Sequence, residues 1–349
     1  MHLPKILIER YGWPGFIAFT VPNVLGCAAF GYVLRDHDPR GRSEAFVLRH
    51  IAAMRWFSFI TIAFHIFFIT AFVRGLDWSA RFPMVEVGLS MFVLLVGFGL
   101  SFLRNRSWLI VAVLVGAVSL SVFIAIGTNA VSTISWAGAL PASSLIWLLP
   151  VMCFGFLLCP YLDLTFHRAL QHSPSRHSFL AFGVIFLVII VMTAVYWADP
   201  SRAAGLWLMH LLVQSIFTVG AHLRELERTV APRRWMPQRR WLWALPLAGL
   251  LAYAPAANDA GPFFWEGNYL RCLVFYGLVF PAYVILAGWA WRGRRPGRMQ
   301  IVLLSGAVML SLPLYEVGFI GGATWMTGIP VGVLLTWSIL ARRHAAAAT

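Results

Sequence analysis

An acidic residue interrupts a strongly apolar stretch of this chain. Residues 145–172 are long enough to cross a bilayer, yet they contain Pro150 and Pro160, and Asp163 follows. Proline removes a backbone donor and clashes with the preceding helical turn, so the sequence predicts a helix that is kinked or broken at Pro160. An acid beside such a break should face a protein interior or a wet cavity, as at the binding sites of transporters. Asp163 is therefore a candidate substrate-binding residue; alternatively, it pairs with His167 at i+4 and binds nothing.

Asn23 and His210 are the other candidate substrate-binding residues. Asn23 follows Pro22 inside an apolar span, and its amide can hydrogen-bond a ligand, a neighbouring helix or the carbonyls that the proline frees. His210 lies in another span. Together with His65 it also suggests a bis-histidine haem site, because imidazole is a common axial ligand. Hydrogen bonding across helices and proton relay are the other interpretations of these histidines.

Two hydroxyl side chains suggest an ion site. Ser215 and Thr218 fall on one helical face at i and i+3, and hard cations such as Na⁺ prefer oxygen ligands. These two residues are the candidate ion-binding residues. The alternative is that each hydroxyl bonds back to its own helix, as membrane hydroxyls commonly do.

Enzymatic chemistry has no comparable signal in this sequence. The four cysteines lie in or beside apolar segments without CxxC spacing, at Cys27, Cys153, Cys159 and Cys272. No nucleophile, metal-ligand cluster or phosphate-binding loop stands out. We therefore expect no catalytic residues, no metal site and no cofactor, with Na⁺ as the one ion suggested.

Composition identifies a membrane protein. Hydrophobic residues make up 60% of the 349 residues and charged residues 11%, against roughly 45–50% and 25% in soluble domains. The net charge of +14 is divided into short clusters between apolar spans, which is what membrane topology requires of loops. The expected partners are therefore the lipid bilayer and a small-molecule or ion substrate, and nucleic acid is not expected.

Apolar spans of roughly 20 residues recur along the whole chain. They predict an all-α polytopic helical bundle of about eleven transmembrane helices in a single membrane domain, residues 1–349. The outer segment 258–271 is predicted to be a loop anchored at the interface by Phe263, Phe264 and Trp265. The predicted spans are 13–34, 51–73, 84–103, 107–127, 145–167, 178–197, 203–222, 241–258, 268–291, 299–315 and 319–341.

The distribution of basic residues predicts the orientation. With these spans, 21 of the 27 Lys and Arg fall on one side of the membrane. By the positive-inside rule that side is cytoplasmic, so the amino terminus lies outside and the carboxyl terminus inside, in what we expect to be a bacterial inner membrane. The other side keeps Lys5, Arg10, Arg74, Arg81, Arg202 and Arg271.

Three stretches resemble the solute:sodium symporter family, which has the LeuT-like fold of the APC superfamily. Residues 163–171, DLTFHRALQ, look like the end of the family's sixth core helix, although His167 stands where glutamine is usual. Residues 214–224 look like the eighth core helix, whose serines and threonines help bind sodium, and the first span, which begins YGW, looks like the second. The resemblance implies two inverted five-helix repeats and sodium-coupled transport. It leaves no equivalent of the broken first core helix.

Three functions remain open at this stage. The first is a transporter-like protein that binds or moves a small solute, coupled to Na⁺ or H⁺. The second is a membrane redox or haem protein that uses His65 and His210. The third is a non-catalytic membrane subunit, whose partner supplies the missing helix.

Reporter fusions test the predicted orientation. Green fluorescent protein fused after residue 349 should fluoresce and alkaline phosphatase should be inactive there, because the carboxyl terminus is predicted to be cytoplasmic. The same reporters fused after Leu76, which is predicted to lie outside, should give the opposite pattern. Equal behaviour at the two positions would contradict the topology.

Overall fold

The protein is all-helical wherever its structure is described. The computed structural model describes residues 2–34, 41–76, 84–129, 137–173, 175, 177–196, 204–228, 249, 253, 262–287 and 296–347. Within these ranges the regular elements are α-helices, 3₁₀ turns and π-helical turns, with no strand. The prediction of an all-α protein is confirmed.

The α-helices are numbered here in chain order. Among the described residues they are α1 (Leu3–Tyr11), α2 (Trp13–Leu34), α3 (Gly41–Gly75), α4 (Val85–Ser101), α5 (Asn105–Asn129), α6 (Leu149–Leu158), α7 (Leu164–His172), α8 (Ser178–Tyr196), α9 (Ala204–Arg228), α10 (Pro262–Val274), α11 (Phe280–Ile285), α12 (Arg298–Tyr315) and α13 (Gly328–Ala347).

Several helices are long and apolar enough to cross a membrane, which makes this a multi-pass membrane protein. Within the described residues there are seven, and the bent pair Leu149–Leu162 and Leu164–His172 would be an eighth span. The seven are Trp13–Leu34, Gly41–Gly75, Asn105–Ile126, Ala204–Glu227, Glu266–Ile285, Arg298–Ile320 and Thr324–Arg343.

The predicted total of about eleven spans stays a prediction. Shorter apolar helices, Val85–Ser101 and Ser178–Val191, occupy the third and sixth predicted spans. The eighth predicted span, 241–258, lies outside the described residues apart from positions 249 and 253. The loop prediction for 258–271 is wrong from Pro262 onward, because α10 begins there; proline suits the first turn of a helix, where its missing N–H costs nothing.

The chain divides into two compact units. The first unit contains Met1–Met54, Ile134–Ala194 and Leu270–Thr349, and the second contains Arg55–Thr133 and Val195–Tyr269. Helix α3 contributes to both, and it has a non-helical residue, His50, just before the boundary. The single-domain assignment stays a prediction.

Small residues allow close helix contacts inside each unit. In the first unit, a Cβ added to Gly26 of α2 would lie 2.1 Å from the carbonyl oxygen of Phe156 in α6. In the second unit, a Cβ added to Gly220 of α9 would lie 3.0 Å from the carbonyl oxygen of Gly97 in α4. Glycines at such crossings let two helix backbones approach each other closely. The van der Waals packing that results is one of the main attractions between helices in lipid.

Irregular turns interrupt three helices of the first unit. The 3₁₀ turn Cys159–Leu162 separates α6 from α7, and the π-helical turns Phe275–Val279 and Glu316–Ile320 follow α10 and α12. Such turns leave backbone groups without their usual helical partners and occur often at functional positions. They are the starting point for locating a site.

Replacement of Gly26 by alanine tests the closest of these crossings. The new methyl group would meet a backbone oxygen that cannot turn aside, so we expect the free energy of unfolding to fall by about 1–3 kcal/mol. Thermal unfolding of the purified protein in detergent measures the change. Gly306→Ala in α12 is the matched control, because a Cβ there meets nothing within 4 Å; equal effects of the two variants would contradict the contact.

Candidate functional site

The helix around Pro160 is broken, as the sequence predicts. Helix α6 ends at Leu158, and the 3₁₀ turn Cys159–Leu162 follows. Asp163 is extended, with φ −82° and ψ 108°, before α7 begins at Leu164. The two halves are bent by 62°. The predicted break is confirmed, and its position agrees with the lost donor of the proline.

Asp163 caps the second half of this broken helix. Its Oδ1 atom accepts hydrogen bonds from the backbone N–H of Thr165 at 2.8 Å and from the hydroxyl of Thr165 at 2.7 Å. An N-cap acid of this kind satisfies a backbone donor that the helix start leaves free. The expected pairing with the His167 side chain is wrong, because both ring nitrogens of His167 bond elsewhere.

His167 repairs the backbone at the break. This side chain is 1% exposed, and its Nε2 atom lies 3.0 Å from the carbonyl oxygen of Tyr161. A carbonyl can only accept, so Nε2 carries the proton, and in the neutral ring Nδ1 accepts from the Ser43 hydroxyl at 2.8 Å. The Ser43 oxygen in turn accepts a bond from Gln171 at 3.2 Å. The tautomer of His167 therefore follows from its partners.

Two carbonyls of the π-helical turn after α10 also accept hydrogen bonds from side chains of the first unit. The thiol of Cys159 donates to the carbonyl oxygen of Tyr276 at 2.9 Å, and the hydroxyl of Tyr315 donates to that of Gly277 at 3.0 Å. Irregular backbone is tolerated at membrane depth only where protein or water satisfies its polar groups. Side chains perform that role at these two carbonyls.

One carboxylate oxygen at the break remains available. Oδ1 of Asp163 accepts both Thr165 bonds, whereas Oδ2 accepts none within the described part of the chain. The side chain is half-buried. Asp163 therefore presents an oriented oxygen at the start of α7.

Asn23 lies on the face of α2 that packs on the broken helix. It precedes Cys27 by one turn and Phe30 by two, and Phe30 contacts Tyr161 with ring centroids 5.6 Å apart. Asn23 is half-buried, and none of the described residues hydrogen-bonds its amide. The predicted bond to a neighbouring helix or to carbonyls near Pro22 is therefore not found there. Both Asn23 and Asp163 belong to the first unit.

His210, Ser215 and Thr218 belong to the second unit, on α9. His210 is 7% exposed, contacts the rings of Phe123 at 4.8 Å and Trp207 at 6.0 Å, and its Nδ1 atom has no hydrogen-bond partner among the described residues. These described contacts of His210 are all with aromatic rings, and none is with an acid or a hydroxyl.

The predicted ion-binding hydroxyls lie one helical turn apart on α9. Ser215 is buried and Thr218 half-buried, and neither hydroxyl forms a hydrogen bond within the described ranges. The predicted back-bonding to their own helix is therefore absent there. Two turns after Ser215, the Nδ1 atom of His222 lies 3.1 Å from the hydroxyl oxygen of Ser58 in α3.

The two histidines proposed as haem ligands have different neighbours. The Nδ1 atom of His65 donates to the carbonyl of Thr61 at 2.8 Å. No described contact joins His65 to His210. Within the described residues no group of three or more His, Cys, Asp and Glu side chains could hold a metal ion.

An apolar cavity of about 50 Å³ lies beside the π-helical turn of the first unit. None of its lining residues is Asn23 or Asp163. The side chains that line it include Leu3, Val151, Phe156, Leu273, Tyr315 and Phe319. It offers room for an apolar group rather than for an ion.

One ion pair of the first unit is not predicted by the sequence. Arg271 binds Glu316 through two contacts, Nη2 to Oε1 at 2.6 Å and Nε to Oε2 at 3.1 Å. Both residues lie near the predicted outer surface, which is the only signal that could have paired them. The pair is about half-exposed, so it contributes little to stability.

No protein-family model, curated protein or solved structure matches this chain.

Replacing His167 by phenylalanine tests the repair of the break. Phenylalanine keeps an aromatic ring between Phe30 and Phe46 but leaves the Tyr161 carbonyl without its donor. We expect the free energy of unfolding to fall by about 1–3 kcal/mol. Thermal unfolding in detergent measures the change. The control is His172→Phe, in the same helix but solvent-exposed; if it destabilises as much, the Tyr161 bond is not the cause.

Proposed function

We propose that this multi-pass membrane protein is a carrier that binds a small cationic solute or ion at the break in its first unit. The observation that supports the proposal is the orientation of Asp163. Thr165 holds one carboxylate oxygen, and the other has no partner in the described residues. A fixed carboxylate with a free oxygen binds a cation without having to be reoriented first.

Asn23 adds a neutral partner on the facing helix. Its half-buried amide has a carbonyl oxygen that can accept and an NH₂ group that can donate. A solute with an amino group and a second polar group would use both residues. Binding at a discontinuous spanning helix is how many secondary transporters hold substrate near the membrane midplane.

Coupling to Na⁺ or H⁺ is part of the proposal. The unbonded hydroxyls of Ser215 and Thr218 are suited to Na⁺ because they supply oxygen ligands. His210 remains a candidate for the solute or for a proton, since imidazole titrates near neutral pH in water. The solute:sodium symporter resemblance, with its LeuT-like repeats, belongs to the same proposal, as do the bacterial inner membrane and the outside amino terminus.

A non-catalytic subunit is the second candidate. It is favoured by the hydrogen bonds at the irregular turns: the carbonyl of Tyr161 at the break and those of Tyr276 and Gly277 in the π-helical turn accept protein hydrogen bonds. Turns whose carbonyls have internal partners can serve packing alone. In that case a partner chain would supply the helix that the resemblance lacks. We propose no enzymatic reaction for either candidate.

Transport assays with Asp163→Asn test the first candidate. Proteoliposomes would be assayed for uptake of a panel of labelled organic amines, with an imposed Na⁺ gradient, with a pH gradient and with neither. We expect the wild type to accumulate one class of amine, and Asp163→Asn to lose at least tenfold in uptake, about 1.4 kcal/mol, because the charge is removed while the capping oxygen remains.

The matched control is Glu9→Gln, an exposed acid of α1 in the same unit that pairs with Lys5. It should transport as the wild type does. Uptake that is equal in Asp163→Asn and in the wild type would exclude Asp163 as the binding group. No uptake by any variant, together with co-purification of a second membrane protein, would favour the subunit.

A further inference from the structure

Glu86 is a buried acid in the second unit that the proposed function does not use. It lies in the first turn of α4, where it is 7% exposed. Its Oε2 atom is fully buried and has no hydrogen-bond partner among the described residues. A buried carboxylate oxygen without a donor or a counter-charge is costly in an apolar environment. A proton, the positive end of α4 or a bound cation can compensate it.

Two hydroxyl groups, one from α3 and one from α4, meet in a hydrogen bond. Ser90 follows Glu86 by one helical turn, and its Oγ atom is 2.9 Å from Oγ1 of Thr70 in α3. Thr70 donates its own proton to the carbonyl oxygen of Ile66 at 2.8 Å, so the Ser90 hydroxyl donates to Thr70. Both side chains are buried, Thr70 fully. After these bonds both oxygens keep lone pairs that can accept a cation.

The end of α3 adds a favourable dipole. Thr70 lies five residues before Gly75, where α3 ends, and Ser90 lies five residues after Val85, where α4 begins. Because α3 and α4 are consecutive predicted spans and run in opposite directions, the last turn of α3 lies level with Glu86. The carbonyls of a last turn lack helical partners and carry partial negative charge. At this level the last turn of α3 therefore supplies carbonyl oxygens and Arg74, whereas the first turn of α4 supplies N–H groups.

Charge balance selects a monovalent ion. One carboxylate neutralises one positive charge, and a divalent ion would remain half-compensated in an apolar site. The charged group of α3 nearest in sequence to Thr70 is Arg74, which is half-buried and forms no ion pair with Glu86 in the described residues. Arg81 and Asp77 lie outside the described residues. Carboxylate, hydroxyl and helix-end carbonyl oxygens are the ligands that transporters use for Na⁺.

We propose that Glu86, Ser90 and Thr70 bind one Na⁺ ion. The residues of this site belong to the second unit, whereas Asp163 belongs to the first, and the site does not include Ser215 or Thr218. The inference does not depend on transport, since a bound Na⁺ ion would stabilise α3 against α4 in a carrier or in a subunit.

Carbodiimide labelling measures occupancy of the site directly. Dicyclohexylcarbodiimide modifies protonated carboxyl groups in apolar surroundings, and a bound Na⁺ ion keeps the proton away. The purified full chain in detergent would be labelled at mildly acidic pH in NaCl or in choline chloride of equal ionic strength, and the adduct at Glu86 quantified by mass spectrometry. At Na⁺ ten times above its Kd the labelling rate should fall about elevenfold.

Thermal unfolding in the same salts gives a second readout. NaCl should raise the unfolding temperature of the wild type above its value in choline chloride. Glu86→Gln should lose this increment, and Ser90→Ala and Thr70→Val should need more Na⁺ to reach it. Ser311→Ala is the control, because that hydroxyl bonds only to Ala307 of its own helix among the described contacts; its Na⁺ increment should equal that of the wild type.

Three results would overturn the inference. One is a Glu86 labelling rate that depends on pH but is the same in NaCl and choline chloride, which would mean that the group binds only a proton. Another is a Na⁺ increment that persists in Glu86→Gln. The third is labelling that appears only in Arg74→Gln and ignores Na⁺, which would show that Arg74 neutralises the acid.

Discussion

The first unit depends on a rule of lipid surroundings: a peptide group that leaves the helical ladder must find another partner. Pro160 removes a donor from the ladder, and the chain then turns by 62°. His167 donates to the Tyr161 carbonyl that this turn leaves free. The break therefore requires an imidazole with a proton on Nε2 beside it, and the hydrogen-bonded Ser43 and Gln171 hold the other side of that ring.

The acceptor oxygens that lack a hydrogen-bond donor are informative, because the carbonyls described above have one. Backbone carbonyls at the irregular turns have partners, but Oδ2 of Asp163 and Oε2 of Glu86 have none among the described residues. Each of these two acids, which belong to different units, thus has one carboxylate oxygen that can still accept a hydrogen bond or a cation. Asp163 is half-buried and accessible to an arriving molecule, whereas Glu86 is almost fully covered. The difference in exposure is why a solute suits the first and a small ion the second.

The sequence predicted local features better than pairings. The break at Pro160 followed from the ring of proline, whose effect needs no knowledge of neighbours. The alternative that paired Asp163 with His167 was wrong because i+4 pairing presumes a continuous helix; once the helix restarts at Leu164, the nearest free donor is the N–H of Thr165. An acid just before a new helical run is an N-cap signature. The sequence alone therefore indicates that Asp163 caps the helix that begins at Leu164. The partner of Glu316 lies on another helix, where no local pattern reaches it.

The two π-helical turns have a consequence for insertions and deletions. Each holds one residue more than an α-helical turn would, and one residue rotates everything after it by about 100°. At Phe275–Val279 that extra residue determines which side chains of the following helix face Val151 and Leu334 in the core. A single-codon deletion there would straighten the helix but turn its apolar face away from those neighbours. The length of this segment is therefore constrained more tightly than its composition.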